Sequence, residues 1–117
     1  MPYLSHRSRD RLQTCHPDII RVVNRCIQLV PPEHDFTVLC GHRSKEDQDK
    51  AFKERRTQLR WPKSNHNRDP SVAIDIAPYP IDWNDDERFL WLATYMYRAA
   101  DLEGVNIRCN THPNLHP

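Results

Sequence analysis

Long apolar runs are missing from this chain. No stretch approaches the roughly 18 apolar residues that a membrane-spanning helix needs, and the first ten residues, MPYLSHRSRD, contain no apolar segment typical of a secretory signal. We therefore expect a chain that is synthesised in the cytoplasm without a signal peptide and that has no membrane partner. If it acts outside the cytoplasm, another agent must release it.

An excess of charge of one sign is also missing. The 17 Lys and Arg residues face 16 Asp and Glu residues, for a net charge of +1, which gives no general electrostatic reason to bind nucleic acid. A local basic stretch, KERRTQLRWPK over residues 53–63, would support nucleic-acid binding with Trp61, but a solvated helix face that runs into a loop explains it better. Strong salt dependence of DNA binding would favour the first interpretation. We expect no nucleic-acid partner.

Paired cysteine motifs are absent as well. Cys15, Cys26, Cys40 and Cys109 are widely spaced and form no C-x-x-C pair. Without a secretion signal they are expected to be reduced. Cys26 falls on the apolar side of a helix and Cys40 ends a strand, so we predict that both are small buried hydrophobic residues. This pattern argues against a cysteine-based zinc site.

The chain does contain a clear succession of helix and strand signals. Helical spacing of apolar residues and capping residues predict helices, and runs of β-branched residues predict short strands. The predicted order is helix over 5–13, helix over 16–30, strand over 35–40, helix over 45–56, strand over 72–78, helix over 84–104 and strand over 105–110. This order predicts an α+β fold in one domain over residues 1–117, with a small sheet.

The second strand carries an aspartate at its centre. Alternation along VAIDIAP points Val72, Ile74 and Ile76 into the core and leaves Asp75 between two alanines on the other face. A buried carboxylate needs a partner, which can be an arginine or a loop amide. It can also be a metal ion shared with His66, because zinc accepts both imidazole nitrogen and carboxylate oxygen. We predict that Asp75 is buried beside His66 in a cleft.

A second polar cluster follows the first strand, in CGHRSKEDQ over residues 40–48. Gly41 lets the chain turn out of the strand, which places Arg43 at the mouth of the sheet and Gln48 one turn into the next helix. Arg43 could hold a substrate carboxylate through two parallel hydrogen bonds, although a surface arginine explains it equally well. Ser64, two residues before His66, could orient the loop or bind substrate.

Together these segments resemble a known family. GHRS…Q and SNH…AIDIAP are similar to the motifs of the zinc D,D-peptidases and phage endolysins, which include D-alanyl-D-alanine carboxypeptidases and L-alanyl-D-glutamate endopeptidases. LSHRSRDRLQTCHPDIIRVVNRCIQL and DFTVLCGHRS resemble the N-terminal part of the endolysin branch, so the likeness runs from about residue 3 to 108. It implies a central antiparallel sheet flanked by helices, one catalytic Zn²⁺ and a peptidoglycan stem peptide as substrate.

The resemblance also implies roles for single residues. His66 and Asp75 fall on the first two zinc-ligand positions, and Arg43 falls on the arginine that contacts substrate or stabilises the oxyanion. Ser64 and Gln48 fall on neighbouring substrate-binding positions.

The family continues past its last helix to a third histidine ligand and an acidic general base. Here the corresponding segment, GVNIRCNTHPNLHP, has two histidines but no acid after Glu103. If the last strand persists, alternation places His112 on the cleft face, whereas His116 lies beyond Pro113, where a ladder should break. We predict His112 as the third ligand; the alternative is that both histidines are solvated. The general base has no candidate.

The resemblance therefore implies a monomeric zinc peptidase that cuts either D-Ala-D-Ala or L-Ala-D-Glu bonds after it reaches the cell wall. The alternative is a catalytically inactive module of the same fold that binds cell-wall peptide, which the missing acid would favour. Metal analysis of the purified protein with and without His66 separates the two best.

Overall fold

Four α-helices and a two-stranded sheet make up residues 2–110, the part of the chain that the computed structural model describes. The elements in order are α1 (His6–Leu12), α2 (Pro17–Leu29), β1 (Phe36–Cys40), α3 (Lys45–Lys53), a short 3₁₀ helix (Asn65–Asn67), β2 (Asp75–Pro78) and α4 (Asp86–Glu103). β1 and β2 pair antiparallel. The predicted α+β class is confirmed. None of the described helices is long and apolar enough to cross a membrane.

Most helix ends follow the predicted caps. The Ser5 and Ser44 hydroxyls accept backbone N–H groups in the first turns of α1 and α3, and Gly104 ends α4 in the left-handed conformation, with φ at 68°. The predicted cap at Asn84 is wrong by one residue. The Asn84 N–H donates to Asp82 in the preceding turn, so Asp85 caps α4 instead.

The core lies between α2, α4 and the inner face of β1. Its buried members include Val22, Val23, Cys26, Val38, Leu92, Met96 and Ala99. α1 covers the edge of β1 that β2 leaves unpaired: the Ser8 hydroxyl accepts the Val38 N–H at 2.9 Å, and Arg11 Nη1 donates to the Val38 carbonyl at 3.0 Å. These bonds satisfy backbone groups that a bare strand edge would leave open.

The predicted alternation of the second strand is partly wrong. Val72 is 41 % exposed whereas Ala77 is fully buried, the reverse of the prediction. The strand begins at Asp75 rather than at residue 72. Before the strand, the Ser71 hydroxyl donates to the Ala73 carbonyl at 2.7 Å. Val72 therefore lies in a local turn and does not follow the alternation of the strand.

The predicted third strand over residues 105–110 is not formed among the described residues. The alternation itself is present: Val105, Ile107 and Cys109 are half-buried, and the residues between them are exposed. The segment packs along α4 instead of a strand, and the Cys109 N–H donates to the Tyr97 hydroxyl at 2.9 Å. The alternating hydrophobicity therefore predicted correctly which side chains of this segment are half-buried, but it did not show whether another strand pairs with the segment.

Gly41, directly after β1, packs too closely for any side chain. A Cβ there would collide with Thr14 Oγ1 and would lie 2.5 Å from the Arg11 carbonyl oxygen. Thr14 is held in place because its hydroxyl accepts the His42 N–H at 2.8 Å. We expect Gly41→Ala to lower the free energy of unfolding by about 3 kcal/mol, measured by urea denaturation.

The matched control is Gly104→Ala. No atom lies within 4 Å of a Cβ at Gly104, so only the left-handed backbone is penalised there, at about 1 kcal/mol. Equal losses in the two variants would contradict the steric account of Gly41.

Candidate metal centre

The register of the two strands places Cys40 opposite Asp75. The pairing runs Thr37 with Ala77 and Val38 with Ile76, and then shifts so that Cys40 pairs with Asp75. Leu39 is the extra residue of a β-bulge, a feature that commonly redirects side chains. Without the bulge, Leu39 would stand in the place that Cys40 occupies.

His66 reaches the same end of the sheet from the loop between the strands. It lies in the 3₁₀ helix, whose cap is Ser64: the Ser64 hydroxyl accepts the His66 N–H at 3.2 Å. Asn67 closes the turn by accepting the Ser64 N–H at 3.1 Å. The Arg43 N–H donates to the His66 carbonyl at 2.8 Å, which ties this turn to the residues that follow β1.

The imidazole of His66 is oriented by two contacts. Nδ1 lies 2.7 Å from the Gly41 carbonyl oxygen, and a carbonyl can only accept, so Nδ1 carries a hydrogen. Nε2 faces Asp75 Oδ1 at 3.4 Å. A backbone carbonyl that fixes one ring nitrogen is the usual arrangement for a histidine that ligates metal through the other.

Asp75 lies beside His66 but is not buried as predicted. Its side chain is 49 % exposed, whereas that of His66 is 12 % exposed. The strand begins at Asp75, so no earlier ladder residues cover it. The pair therefore opens to solvent on the aspartate side.

The donor atoms fit a small tetrahedral metal ion. Two ligand bonds near 2.1 Å at a tetrahedral angle place their donor atoms about 3.4 Å apart, the separation of His66 Nε2 and Asp75 Oδ1. Cys40 joins them: one donor atom from each of Cys40, His66 and Asp75 lies within 4.8 Å of the others. Imidazole, carboxylate and thiol are all donors that zinc accepts.

Arg43 lies next to these residues, and a hydrogen bond to Gln48 fixes its guanidinium. Its Nη2 is 3.5 Å from Asp75 Oδ2, and its Nη1 donates to Gln48 Oε1 at 3.0 Å. The Gln48 oxygen also accepts from Asn67 Nδ2 at 3.1 Å, and Gln48 Nε2 donates to the Leu59 carbonyl at 2.6 Å. Gln48 thus connects α3 to Arg43, which follows β1, and to Leu59 and Asn67 in the segment between α3 and β2.

The sequence model of the phage L-alanyl-D-glutamate peptidase family matches residues 2–116. The chain belongs to that family. Among solved structures, it is similar to the L-Ala D-Glu endopeptidase ChiX of Serratia marcescens, with 26 % sequence identity and a TM-score of 0.72. The match covers 91 % of this chain and 77 % of that one. No curated protein matches the chain.

In this peptidase-family chain, Gln48 and Ser64, the predicted substrate-binding residues, lie buried next to the proposed site. Gln48 has no exposed surface and Ser64 is 6 % exposed. Their polar atoms bind the backbone and side chains that carry Arg43 and His66. Their role in substrate binding stays a prediction.

The electrostatics of the site favour a proton on His66 when no metal is present. Burial alone lowers the pKa of this imidazole, but its hydrogen bonds to Asp75 and Cys40 and the charge of Asp75 outweigh burial and raise the pKa to about 10. For the Cys40 thiol, burial has the opposite effect and raises the pKa. The hydrogen bond with His66 and the charges of His66 and Arg43 outweigh burial, so the pKa of this thiol lies below its usual value.

Cys40 departs from the sequence-based expectation. Cys40 was predicted to be a buried hydrophobic residue, but it is half-buried and lies in the donor cluster. Only the bulge at Leu39 brings it there, and nothing in the local sequence marks a bulge. His112, the predicted third ligand, lies outside the described residues.

Proposed function

We propose that this chain is a zinc-dependent hydrolase that cleaves the L-alanyl-D-glutamate bond of peptidoglycan stem peptides, acting on the cell wall after release. The observation that carries the proposal is the convergence of His66, Asp75 and Arg43 at one end of the sheet. Membership of the phage L-alanyl-D-glutamate peptidase family, and the fold shared with an L-Ala D-Glu endopeptidase, favour this bond over D-Ala-D-Ala.

His66 Nε2 and Asp75 Oδ1 would hold the metal, because their 3.4 Å separation suits two zinc ligands. When bound, zinc supplies Lewis-acid polarisation of a carbonyl oxygen. The hydrogen bond from Nδ1 to the Gly41 carbonyl fixes the ring so that Nε2 points to the site. Ser64 supports this orientation through the backbone of the 3₁₀ helix.

Arg43 would bind negative charge on the substrate side of the site. Its side chain is only 15 % exposed and its guanidinium is anchored on Gln48, so the group is held in one orientation before substrate arrives. A guanidinium has five N–H donors in a fixed fork, and those not used by Gln48 and Asp75 suit a carboxylate such as that of D-glutamate. The same donors would stabilise the oxyanion that develops when the amide is attacked.

The deciding experiment offers the purified protein two peptides, one with an L-Ala-D-Glu bond and one with only a D-Ala-D-Ala bond. We expect zinc-dependent hydrolysis of the first alone, seen by mass spectrometry as a new D-glutamyl amino terminus and a new L-alanyl carboxylate. Added chelator should stop the reaction, and zinc should restore it. Binding of the peptide without cleavage under all metal conditions would refute the enzyme and leave the binding-module alternative.

Metal affinity is expected to rise with pH. The pKa of His66 is raised to about 10 in the metal-free protein, so at neutral pH its imidazole is protonated and must lose a proton before it can ligate zinc. Affinity should therefore increase about tenfold per pH unit below that pKa, for the contribution of this one proton. Zinc titrations at pH 6.0, 7.0 and 8.0 measure the slope, and an affinity that is flat over this range would contradict the assignment of His66.

A further inference from the structure

We propose that the thiolate of Cys40 is a protein ligand of the metal held by His66 and Asp75. The inference rests on the proposed metal site and extends it to a residue type that neither the spacing of the cysteines nor the family resemblance indicated. It makes the donor set one nitrogen, one oxygen and one sulfur. Three protein donors leave a fourth tetrahedral position open, as catalytic zinc requires.

The backbone supplies the first argument. Cys40 and Asp75 are directly paired across β1 and β2, and side chains of paired residues lie about 4.5–5.5 Å apart at Cβ on one face of a sheet. The bulge at Leu39 is what creates this pairing. A metal bound by Asp75 and His66 therefore lies within reach of the Cys40 sulfur.

The surroundings of the sulfur supply the second argument. Cys40 Sγ is 3.6 Å from the Gly41 carbonyl oxygen and 3.9 Å from His66 Nδ1, both long contacts, and the residue is not part of the hydrophobic core. Cys15 and Cys26, in contrast, are fully buried. Among the described residues, Cys40 is the cysteine that lies in a cluster of metal donors.

The required movement is small. A zinc–sulfur bond near 2.3 Å and a zinc–nitrogen bond near 2.1 Å put the two donors about 3.5 Å apart in a tetrahedral site. The three donor atoms already lie within 4.8 Å of one another. A side-chain rotation that brings the Cys40 sulfur towards His66 Nε2 would complete the set.

The three donor atoms restrict which metal ion the site can bind. A thiolate favours zinc, cobalt or cadmium over magnesium, calcium and manganese. Two anionic donors with one neutral imidazole balance a divalent ion, so the sulfur would also moderate its Lewis acidity. We expect the site to take soft divalent ions selectively.

Cobalt(II) bound in place of zinc can test for the sulfur ligand directly. Coordination of cobalt by a thiolate gives a charge-transfer absorption in the near ultraviolet, which nitrogen and oxygen ligands do not give. The wild-type protein loaded with cobalt should show this band. Cys40→Ser should lose it, and its zinc affinity should fall at least 10–100-fold, roughly the effect of losing a residue that only supports a ligand. Cys109→Ser is the matched control and should keep both the band and the affinity.

The outcomes separate this proposal from the proposed function. Cobalt bound in the wild type without the charge-transfer band would overturn the role of Cys40 while leaving the metal site intact. Loss of metal in His112→Ala with none in Cys40→Ser would also overturn it. No binding of cobalt or zinc to the wild type, as to His66→Ala, would overturn the metal site itself. The ¹¹³Cd chemical shift of the wild type provides a second measurement that needs no variant.

Discussion

Replacing His66 with alanine is expected to abolish zinc binding and hydrolysis together. His66 Nε2 is the more deeply placed donor of the proposed site, at 12 % side-chain exposure, and its ring is already fixed by the Gly41 carbonyl. Metal catalysis contributes several kcal/mol to such reactions, so kcat/KM should fall at least about a thousandfold. Metal content by elemental analysis and hydrolysis of the L-Ala-D-Glu peptide measure the two losses.

His6→Ala is the control for this variant. His6 is largely exposed and pairs with Asp10 on α1, far along the chain from the site, and its removal should change neither quantity. A His66→Ala protein that is folded, holds zinc at full stoichiometry and retains activity would contradict the proposed role of His66 as a metal ligand.

The second large effect is expected at Arg43. Arg43→Ala should lower kcat about 10²–10³-fold, the usual effect of removing one donor that stabilises developing negative charge. Its zinc content should stay unchanged, because the proposed metal donors are on Cys40, His66 and Asp75. Arg43→Lys should restore little, since a lysine ammonium cannot reproduce the planar fork held by Gln48.

Arg60→Ala is the matched arginine control. Its guanidinium lies over the Phe52 ring, 4.4 Å from the centroid, and among the described residues no hydrogen bond or ion pair links it to the donor cluster, so turnover should stay at the wild-type value. Loss of zinc together with activity in Arg43→Ala would instead show that Arg43 is needed to shape the site. The Asp75 contact at 3.5 Å is the interaction that such a result would implicate.

The elements that the sequence predicted well are those whose signals are local. Ser5, Ser44 and Gly104 act within a few residues of themselves, and the helices they cap were located from the sequence. The proximity of His66 to Asp75 was also expected, since the family motif and the chemistry of the two side chains both pointed to one site.

What the sequence did not predict depends on partners distant along the chain. The extended segment after α4 has the alternation of a strand, yet its hydrogen bond goes to the Tyr97 side chain. The place of Cys40 depends on a one-residue shift in pairing with β2. The exposure of Asp75 depends on where that pairing starts, which hydrophobic periodicity does not determine.

The loop between residues 41 and 74 gives the proposed metal a second effect. Two strands alone form a marginal sheet. A metal that joins β1, β2 and the 3₁₀ helix would act as a cross-link across the loop, closing it more tightly than its hydrogen bonds alone, such as that from the Arg43 N–H to the His66 carbonyl. Scarcity of metal would then loosen the loop while the helices stay folded, so that proteases would cut the metal-poor chain first at its own catalytic region.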